Sequence, residues 1–156
     1  GDLRKLKLAA LCQFTLVGAP VVYYGSEVGL SQHADVMQHG YAIHEEARLP
    51  MIWGAGQDQD LFGFYQNLIA LRKSQSALRR GTRTTIFSDE QRFAYRRSEG
   101  SETLVILLNI SEHETTFELE LTESTLAFAT SAECKIQGEG RAKQIILPPF
   151  GGIVLQ

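Results

Sequence analysis

Cysteine and proline are scarce in this sequence. Only two of its 156 residues are cysteine and four are proline, so neither a disulfide framework nor a proline-rich linker is indicated. Cys12 and Cys134 lie far apart, in different kinds of segment, and we predict that both are buried thiols. With 44% hydrophobic and 21% charged residues the composition is that of an ordinary globular protein, which excludes collagen-like, coiled-coil and disordered classes.

A positive charge excess and a long hydrophobic run are also missing. The net charge is −3 and neither half of the chain is basic, so a nucleic-acid partner is not expected. The most apolar stretch, residues 8–24, is interrupted by Gln13, Thr15 and a Gly-Ala-Pro break and is too short to span a bilayer. No membrane partner is therefore expected. The first residues lack the pattern of a signal peptide, which only slightly favours a cytoplasmic location.

The first part of the chain combines helical periodicity with one consecutive apolar run. Asp2 is a predicted N-cap for a helix over residues 3–17, which Gly18 and Pro20 would end. Residues 21–24 (VVYY) are apolar at every position, which predicts a strand covered on both faces. One such strand cannot form a parallel sheet by itself.

A long segment without regular periodicity follows at residues 25–58, and connections of this length are usually functional. Asp58 or Asp60 is then predicted to cap a second helix. Its apolar face would consist of Leu61, Phe64, Tyr65, Leu68 and Leu71. Gly81 closes the region, which we predict to be a domain of residues 1–80.

From residue 82 onward the pattern changes to a period of two. Residues 116–121 (TFELEL) alternate acidic or polar with apolar side chains, as on a half-solvated strand. We predict seven strands, at residues 84–87, 92–97, 103–110, 116–121, 126–130, 143–147 and 152–155. Strands at this spacing, separated by turn-forming residues, predict an antiparallel β-sandwich domain over residues 81–156.

Four segments resemble the α-amylase family of glycoside hydrolases (family 13). Residues 18–30 (GAPVVYYGSEVGL) are similar to the family's segment around the eighth barrel strand, and residues 48–53 (RLPMIW) to the Arg-x-Pro-Met-x-Trp stretch of the following loop. Residues 64–81 look like the eighth helix and residues 147–155 (LPPFGGIVL) like the last strands of the C-terminal sandwich. Together they cover essentially the whole chain in the family's order. Ser26 departs from the pattern, because the family usually has Asp there.

The resemblance implies an α+β fragment, the last α-β-α portion of a (β/α)8 barrel followed by an antiparallel β-sandwich domain. A complete barrel needs about 250 residues, so this chain is too short to contain one. The resemblance also implies a parent enzyme that acts on α-glucosidic bonds, with an α-glucan or maltooligosaccharide as its partner. The family's three catalytic carboxylates would precede Gly1. We therefore expect no catalytic residue here and no activity of this segment alone.

Glu27 is the acidic residue best placed for a role in a barrel. It follows the predicted strand at the end where barrel active sites form. Retaining glycoside hydrolysis needs two carboxyl groups about 5 to 5.5 Å apart, and one is not a pair. Glu27 could accept sugar hydroxyls or orient a neighbouring arginine. The interpretation that we favour is structural, with the carboxylate tied to a backbone amide or to Arg48.

Arg48 and Trp53 complete the set of candidate substrate-binding residues. The guanidinium of Arg48 could donate to a sugar hydroxyl, or could brace the loop against Glu27 or Asp35. Trp53 could stack on a pyranose ring, but a lone tryptophan in a loop more often covers a core, and we favour that interpretation.

The same loop contains His33, His39 and His44 close to Asp35 and Glu45. Their spacing fits neither HExxH nor any short zinc pattern, so no metal site is predicted. No nucleotide-binding motif accompanies the glycines after the predicted strand, and no cofactor is evident in this segment. A calcium requirement of the parent enzyme stays open.

Two other classes of function stay open, a non-catalytic carbohydrate-binding module and a structural or association module. Sugar-binding modules usually expose a row of aromatic rings. The aromatic residues of the predicted sandwich instead occupy alternating positions expected to face inward: Phe87, Phe93, Tyr95, Phe117 and Phe128. If the chain is expressed alone, the strand from Val21 to Tyr24 would need a pairing partner, which predicts self-association.

Overall fold

The structure is a computed structural model that describes residues 1–34, 37–38, 41–42, 45 and 48–156. Two compact units make up these residues: one comprises residue 1 and residues 21–66, and the other residues 2–20 and 67–156. In chain order the elements are α1 (Leu3–Thr15), β1 (Met37–Gln38), β2 (Tyr41–Ala42), α2 (Gln59–Ser74), α3 (Ser76–Arg80), β3 (Thr82–Ser88), β4 (Arg92–Glu99), β5 (Glu102–Asn109), β6 (Thr115–Glu120), β7 (Leu126–Ala129), β8 (Lys135–Gln137), β9 (Ala142–Leu147) and β10 (Gly152–Leu155). Among the described residues every helix is too short or too polar to cross a lipid bilayer.

Helix α1 begins where the sequence predicts. The Asp2 carboxylate accepts a hydrogen bond from the backbone N–H of Arg4 at 2.9 Å, as an N-cap does. The helix ends at Thr15, two residues earlier than expected. Arg72 of α2 binds this end, because its guanidinium donates to the carbonyls of Phe14 at 2.7 Å and Gly18 at 2.5 Å. A cation on the final carbonyls also suits the negative end of the helix dipole.

Arg97 of β4 is a second cation at the end of α1, and it is almost completely buried, with 1% of its surface exposed. Its guanidinium donates to the carbonyl of Thr15 at 2.5 Å, and to those of Leu78 at 3.2 Å and Gly81 at 2.9 Å. The last two carbonyls lie at the end of α3. One side chain therefore satisfies backbone acceptors of two helix ends. Burial lowers the pKa of Arg97 from its usual value, and the positive charge of Arg72 adds to this effect.

Helices α2 and α3 begin with different kinds of cap. Asp58, rather than Asp60, caps α2, since its Oδ1 accepts from the backbone N–H of Leu61 at 2.9 Å. The apolar face predicted for α2 is buried along its length. Helix α3 was not predicted from the sequence. Its first turn is capped by Glu102 of β5, whose carboxylate accepts from the backbone N–H of Ala77 at 2.6 Å.

The β-rich part of the chain forms two antiparallel sheets, as the sequence predicts. A five-stranded sheet has the order β3-β4-β5-β10-β7, and a three-stranded sheet has the order β6-β9-β8. All seven predicted strands are present with shifts of one or two residues at their ends. The sequence did not predict β8, whose three residues are too few for a periodic pattern.

The space between the two sheets is filled by apolar side chains. The five-stranded sheet contributes Ala94, Val105, Leu107, Ile153 and Leu155, and the three-stranded sheet and its flanks contribute Phe117, Leu121, Ile145 and Leu147. These residues are at most 2% exposed. On β6 apolar and polar residues alternate, so the apolar ones share the face that lies against this core. This arrangement explains why the sequence shows a period of two.

The opposite face of the five-stranded sheet is covered by α1. Tyr95 of β4 lies opposite Ile106 of β5, which in turn lies opposite Val154 of β10, so the three side chains share this face. Its hydroxyl lies 2.6 Å from the hydroxyl of Thr15 in α1. Burial raises the pKa of Tyr95 above its usual range. The five aromatic residues of the sandwich are buried or half-buried, as expected. Phe117 lies on β6 of the three-stranded sheet, and the other four lie on strands of the five-stranded sheet.

Gly152 allows α1 to approach β10 closely. A Cβ added to Gly152 would lie 2.7 Å from Cδ2 of Leu11, and 3.1 Å from both Cδ1 of Leu8 and Cδ2 of Leu108. These distances are shorter than ordinary van der Waals contact. The absence of a side chain is therefore what lets the two leucines of α1 pack on the middle of the sheet.

Asn109 connects the loops at one end of the sandwich. Its Nδ2 donates to the carbonyls of His113 at 2.7 Å, Leu147 at 3.2 Å and Pro148 at 2.8 Å. Its Oδ1 accepts from the backbone N–H of Ser111 at 3.0 Å. Asn109 is fully buried, so these hydrogen bonds satisfy groups that water does not reach.

Two expectations about single segments are corrected. Residues 21–23 are irregular and Tyr24 enters a turn, and no ladder of the described residues includes them. Val21 is 76% exposed, so the strand covered on both faces is not formed in this structure. A strand needs neighbouring strands to pair with, and an apolar run does not supply them. Cys12 and Cys134 are free thiols, but both are half-buried rather than buried.

Candidate functional site

Residues 25–29 form a tight, well-defined turn at the start of the long connecting segment. A single 3₁₀ turn, Ser26–Val28, lies between Gly25 at φ +87° and Gly29 at φ +78°. Both glycines adopt the left-handed conformation that other residues rarely tolerate. The backbone N–H of Asp58 donates to the carbonyl of Val28 at 3.1 Å, which fastens the turn to the start of α2. Residue 27 is therefore held on a rigid piece of backbone.

Glu27 is half-buried on this turn. Its Oε2 is buried, yet in the described part of the chain it accepts no hydrogen bond. Among the described residues no backbone amide donates to this oxygen, and no ion pair joins Glu27 to Arg48, the two structural contacts expected from the sequence. Its negative charge does act on Tyr65 of α2, because the pKa of Tyr65 is raised by burial and further by Glu27.

Arg48 is exposed and lies near Tyr24. Partial desolvation and the neighbouring Tyr23 raise the pKa of Tyr24, and the positive charge of Arg48 opposes that rise. The hydroxyl of Tyr24 donates to the carbonyl of Leu49 at 3.0 Å. The two parts of the chain that carry the family resemblance, residues 18–30 and 48–53, are thus joined at this point.

Trp53 is 78% exposed. Our expectation that its ring covers a core is therefore wrong. It immediately precedes a single 3₁₀ turn, Gly54–Gly56. The side-chain amide of Gln57 donates to the carbonyl of Ile52 at 2.9 Å, which fixes the backbone next to Trp53. An exposed indole on a fixed backbone offers an aromatic face to a ligand.

A short hairpin in the same segment was not predicted from the sequence. Strands β1 and β2 pair with Met37 opposite Ala42 and Gln38 opposite Tyr41. The side chains of Met37 and Tyr41 are 60% and 79% exposed. Two-residue strands leave no periodic signal, so only the exposed aromatic residue itself could have drawn attention to this hairpin.

The described residues of this segment show no metal site. His33 and Glu45 are exposed, and His39, His44 and Asp35 lie outside the described residues. Wherever the structure describes side chains, no three of His, Cys, Asp or Glu come together at a possible metal position.

Comparisons with known proteins identify relatives along the whole chain. Residues 79–151 match a domain of unknown function (DUF3459). Alpha-amylase 2 of Dictyoglomus thermophilum is 40% identical over 119 residues, 76% of this chain, and cyclomaltodextrinase of Geobacillus thermopakistaniensis is 31% identical over 159 residues, 99% of this chain. The fold is shared as well: the acarbose-soaked debranching enzyme of Nostoc punctiforme superposes on 99% of this chain with a TM-score of 0.75 at 25% identity. The chain belongs to the α-amylase family of glycoside hydrolases.

This chain represents only part of an α-amylase-family protein. It spans 21% of the Dictyoglomus alpha-amylase, 25% of the Geobacillus cyclomaltodextrinase and 29% of the Nostoc structure. It corresponds to a C-terminal segment of such enzymes, which confirms the resemblance read from the four sequence segments. The fold class, an α+β fragment that ends in a β-rich domain, is confirmed as well.

Exposed aromatic rings are confined to one part of this α-amylase-family segment. Residues 21–66 expose Tyr23, Tyr24, Tyr41, Trp53 and Phe62. In residues 2–20 and 67–156, all of which are described, no phenylalanine, tyrosine or tryptophan ring is exposed. The candidate residues Glu27, Arg48 and Trp53 therefore belong to the unit that carries the exposed aromatic rings.

Proposed function

We propose that this chain is the C-terminal part of an enzyme that acts on α-glucosidic bonds of maltodextrin-like glucans. Relatives named alpha-amylase and cyclomaltodextrinase support this proposal. The observation that carries it is the grouping of exposed aromatic rings with Glu27 and Arg48 in residues 21–66. Sugar-binding sites combine such rings with a few side chains that form hydrogen bonds.

Each candidate residue would contribute one kind of contact to the substrate. The exposed Trp53 would stack on the apolar face of a glucosyl unit. The exposed guanidinium of Arg48 would donate to hydroxyl groups. These residues would line one substrate cleft, with Glu27 at its edge on the 3₁₀ turn. The catalytic carboxyl pair that such hydrolysis needs would come from the preceding part of the polypeptide.

The experiment is a kinetic comparison in the full-length polypeptide that contains this chain, with maltoheptaose, β-cyclodextrin and pullulan as substrates. We expect Trp53→Ala to raise KM by about tenfold, because one stacking contact is worth about 1 to 1.5 kcal/mol, with a smaller effect on kcat. Leu126→Ala is the matched control, since Leu126 is also an exposed apolar residue, at 48%, but lies on β7 of the sandwich. An unchanged KM for Trp53→Ala would contradict the assigned role.

The 156-residue chain alone provides a second test. It should not hydrolyse any of these substrates, because the proposal assigns the catalytic carboxylates to another part of the polypeptide. Turnover by the purified chain, lost in a variant with a substituted acidic residue of its own, would overturn the assignment.

Self-association is a second proposed property of the chain when it is expressed alone. It is supported by the exposure of Val21, Tyr23 and Tyr24, which are 76%, 56% and 42% exposed. Sedimentation velocity at high micromolar concentration should show dimers or larger species that Val21→Lys reduces. A strictly monomeric chain would exclude this property.

A further inference from the structure

The carboxylate of Glu27 has a buried oxygen that no described residue satisfies. Its Oε2 is buried and accepts no hydrogen bond from the described residues. Leaving a charged acceptor unsatisfied costs more than leaving a neutral one, and proteins seldom bury such a group without a partner. Hydrogen bonds within the turn, from Val28 and Leu30 to the carbonyl of Gly25, hold the backbone of Glu27 in this position.

The turn that carries Glu27 is bonded to an acidic residue. The backbone N–H of Asp58 donates to the carbonyl of Val28, and a Cβ on Gly29 would lie 3.4 Å from Cβ of Asp58. Burial raises the pKa of Tyr65, and the negative charge of Glu27 adds to this rise. Asp58 brings no positive charge to this turn, and its Oδ1 caps α2.

The sequence of this unit offers almost no cation to balance its acidic residues. Residues 21–66 contain six Asp or Glu residues, and Arg48 is their only Lys or Arg. The Arg48 side chain is exposed and acts on Tyr24. The relatives are about four times longer than this chain, so most of the polypeptide that packs in such proteins lies outside it.

We propose that Glu27 is a positioning residue that binds a lysine or arginine side chain contributed by the part of the polypeptide outside this chain. The carboxylate shares its charge between two oxygens, so a cation on its half-exposed side also offsets the desolvation of the buried oxygen. The cation would be held at the edge of the substrate cleft, where a fixed positive group can orient a glucan hydroxyl. This inference rests on the proposed function for its place in the cleft, but not for the ion pair itself.

The test compares the melting temperature of Glu27→Gln in two settings, the 156-residue chain and the full-length polypeptide. In the chain alone the substitution removes a charge without a partner, so the melting temperature should stay unchanged or rise by about 1 to 3 °C. In the full-length polypeptide it leaves the cation without its partner, so the melting temperature should fall by at least about 3 °C. A change of the same sign in both settings would overturn the proposal.

Glu102→Gln is the matched control. The Glu102 carboxylate already has donors inside the chain, the N–H of Ala77 at 2.6 Å and the hydroxyl of Ser76 at 3.1 Å. This substitution should therefore lower the melting temperature in both settings. If the 156-residue chain does not melt cooperatively, the melting temperature of Glu27→Lys in the full-length polypeptide tests the proposal instead. This variant should lower the melting temperature more than Glu27→Gln does, because it places two positive charges next to each other. An equal or smaller effect would contradict the proposed ion pair.

Kinetics separates this inference from the proposed function. Positioning through a cation predicts that Glu27→Gln lowers kcat/KM severalfold and that Glu27→Asp restores part of the loss. If Glu27→Gln raises KM for maltoheptaose but leaves the melting temperature of the substrate-free polypeptide unchanged, Glu27 contacts the sugar directly and the inference is wrong. If no variant or wild type has activity, the proposed function fails while the melting temperatures still test the ion pair.

Discussion

Replacing Arg97 by methionine would test how two helix ends are held against the sheet. The guanidinium donates to the carbonyls of Thr15, Leu78 and Gly81 from a site with 1% exposure. Methionine is similar in length but donates no hydrogen bond. The substitution would leave three acceptors at the ends of α1 and α3 without this donor, in a region that water does not reach.

The expected loss of stability follows from the number of acceptors. Each buried carbonyl left without a donor costs about 1 to 3 kcal/mol. Removing the cation also relieves its own desolvation, since Nε of Arg97 is buried without a hydrogen bond among the described residues. We therefore expect a net loss of about 3 to 5 kcal/mol, the lower part of the range for three such acceptors. In a chain of this size that corresponds to a fall in melting temperature of roughly 10 °C.

Urea unfolding followed by far-ultraviolet circular dichroism would measure this loss. Arg80→Met is the matched control, because the Arg80 side chain is 69% exposed and its ion pair with Glu99, at 3.6 Å, is a surface contact. Such contacts contribute about 0 to 1 kcal/mol. If Arg97→Met costs less than about 1 kcal/mol, or no more than Arg80→Met, the idea that Arg97 satisfies these helix ends is refuted.

Two further substitutions test the sandwich. Asn109→Asp replaces the donor to three carbonyls by a buried carboxylate, so the free energy of unfolding at pH 7 should fall by about 3 kcal/mol or more. Recovery of part of that loss at pH 4 would identify the negative charge as its cause. A loss below about 1 kcal/mol would contradict the role of Asn109 as a donor. Gly152→Val adds a side chain whose Cβ would lie only 2.7 Å from Cδ2 of Leu11, so we expect a loss of about 1 to 3 kcal/mol that Leu11→Ala partly relieves in the double variant. Additive effects of the two changes would show that they do not share this contact.

Features that depend on neighbouring residues could be predicted from the sequence. Asp2 and Asp58 cap helices through backbone groups two or three residues away, so the relevant signal lies within one turn. The strands of the sandwich have one face against a core, and the alternation on β6 records that environment directly.

Features that depend on distant residues could not be predicted. Helix α3 has only five residues, and its cap, Glu102, lies 25 residues after Ala77. The run at residues 21–24 has the composition of a buried strand, but pairing depends on strands that the run cannot specify. For Trp53, a loop position gives no information about burial, because burial depends on which other segments pack nearby.

The candidate site stays a prediction of the sequence. The two segments that suggested it, residues 18–30 and 48–53, meet where Tyr24 donates to the carbonyl of Leu49. The state of Glu27 was not foreseen, since the sequence suggested a contact with a backbone amide or with Arg48. Whether a carboxylate finds a donor is decided by distances of a few tenths of an ångström, which spacing along the chain does not determine.

The position of β10 has a consequence for how this segment folds as it is synthesised. Residues 152–155 leave the ribosome after every other strand of the five-stranded sheet, yet they lie between β5 and β7 in that sheet. Arg97, which binds the end of α1, emerges 82 residues after Thr15. Contacts so distant in sequence form slowly. Until β10 arrives, β5 and β7 have open edges that can pair with strands of other nascent chains, so the nascent segment is most exposed to aggregation just before its last strand is made.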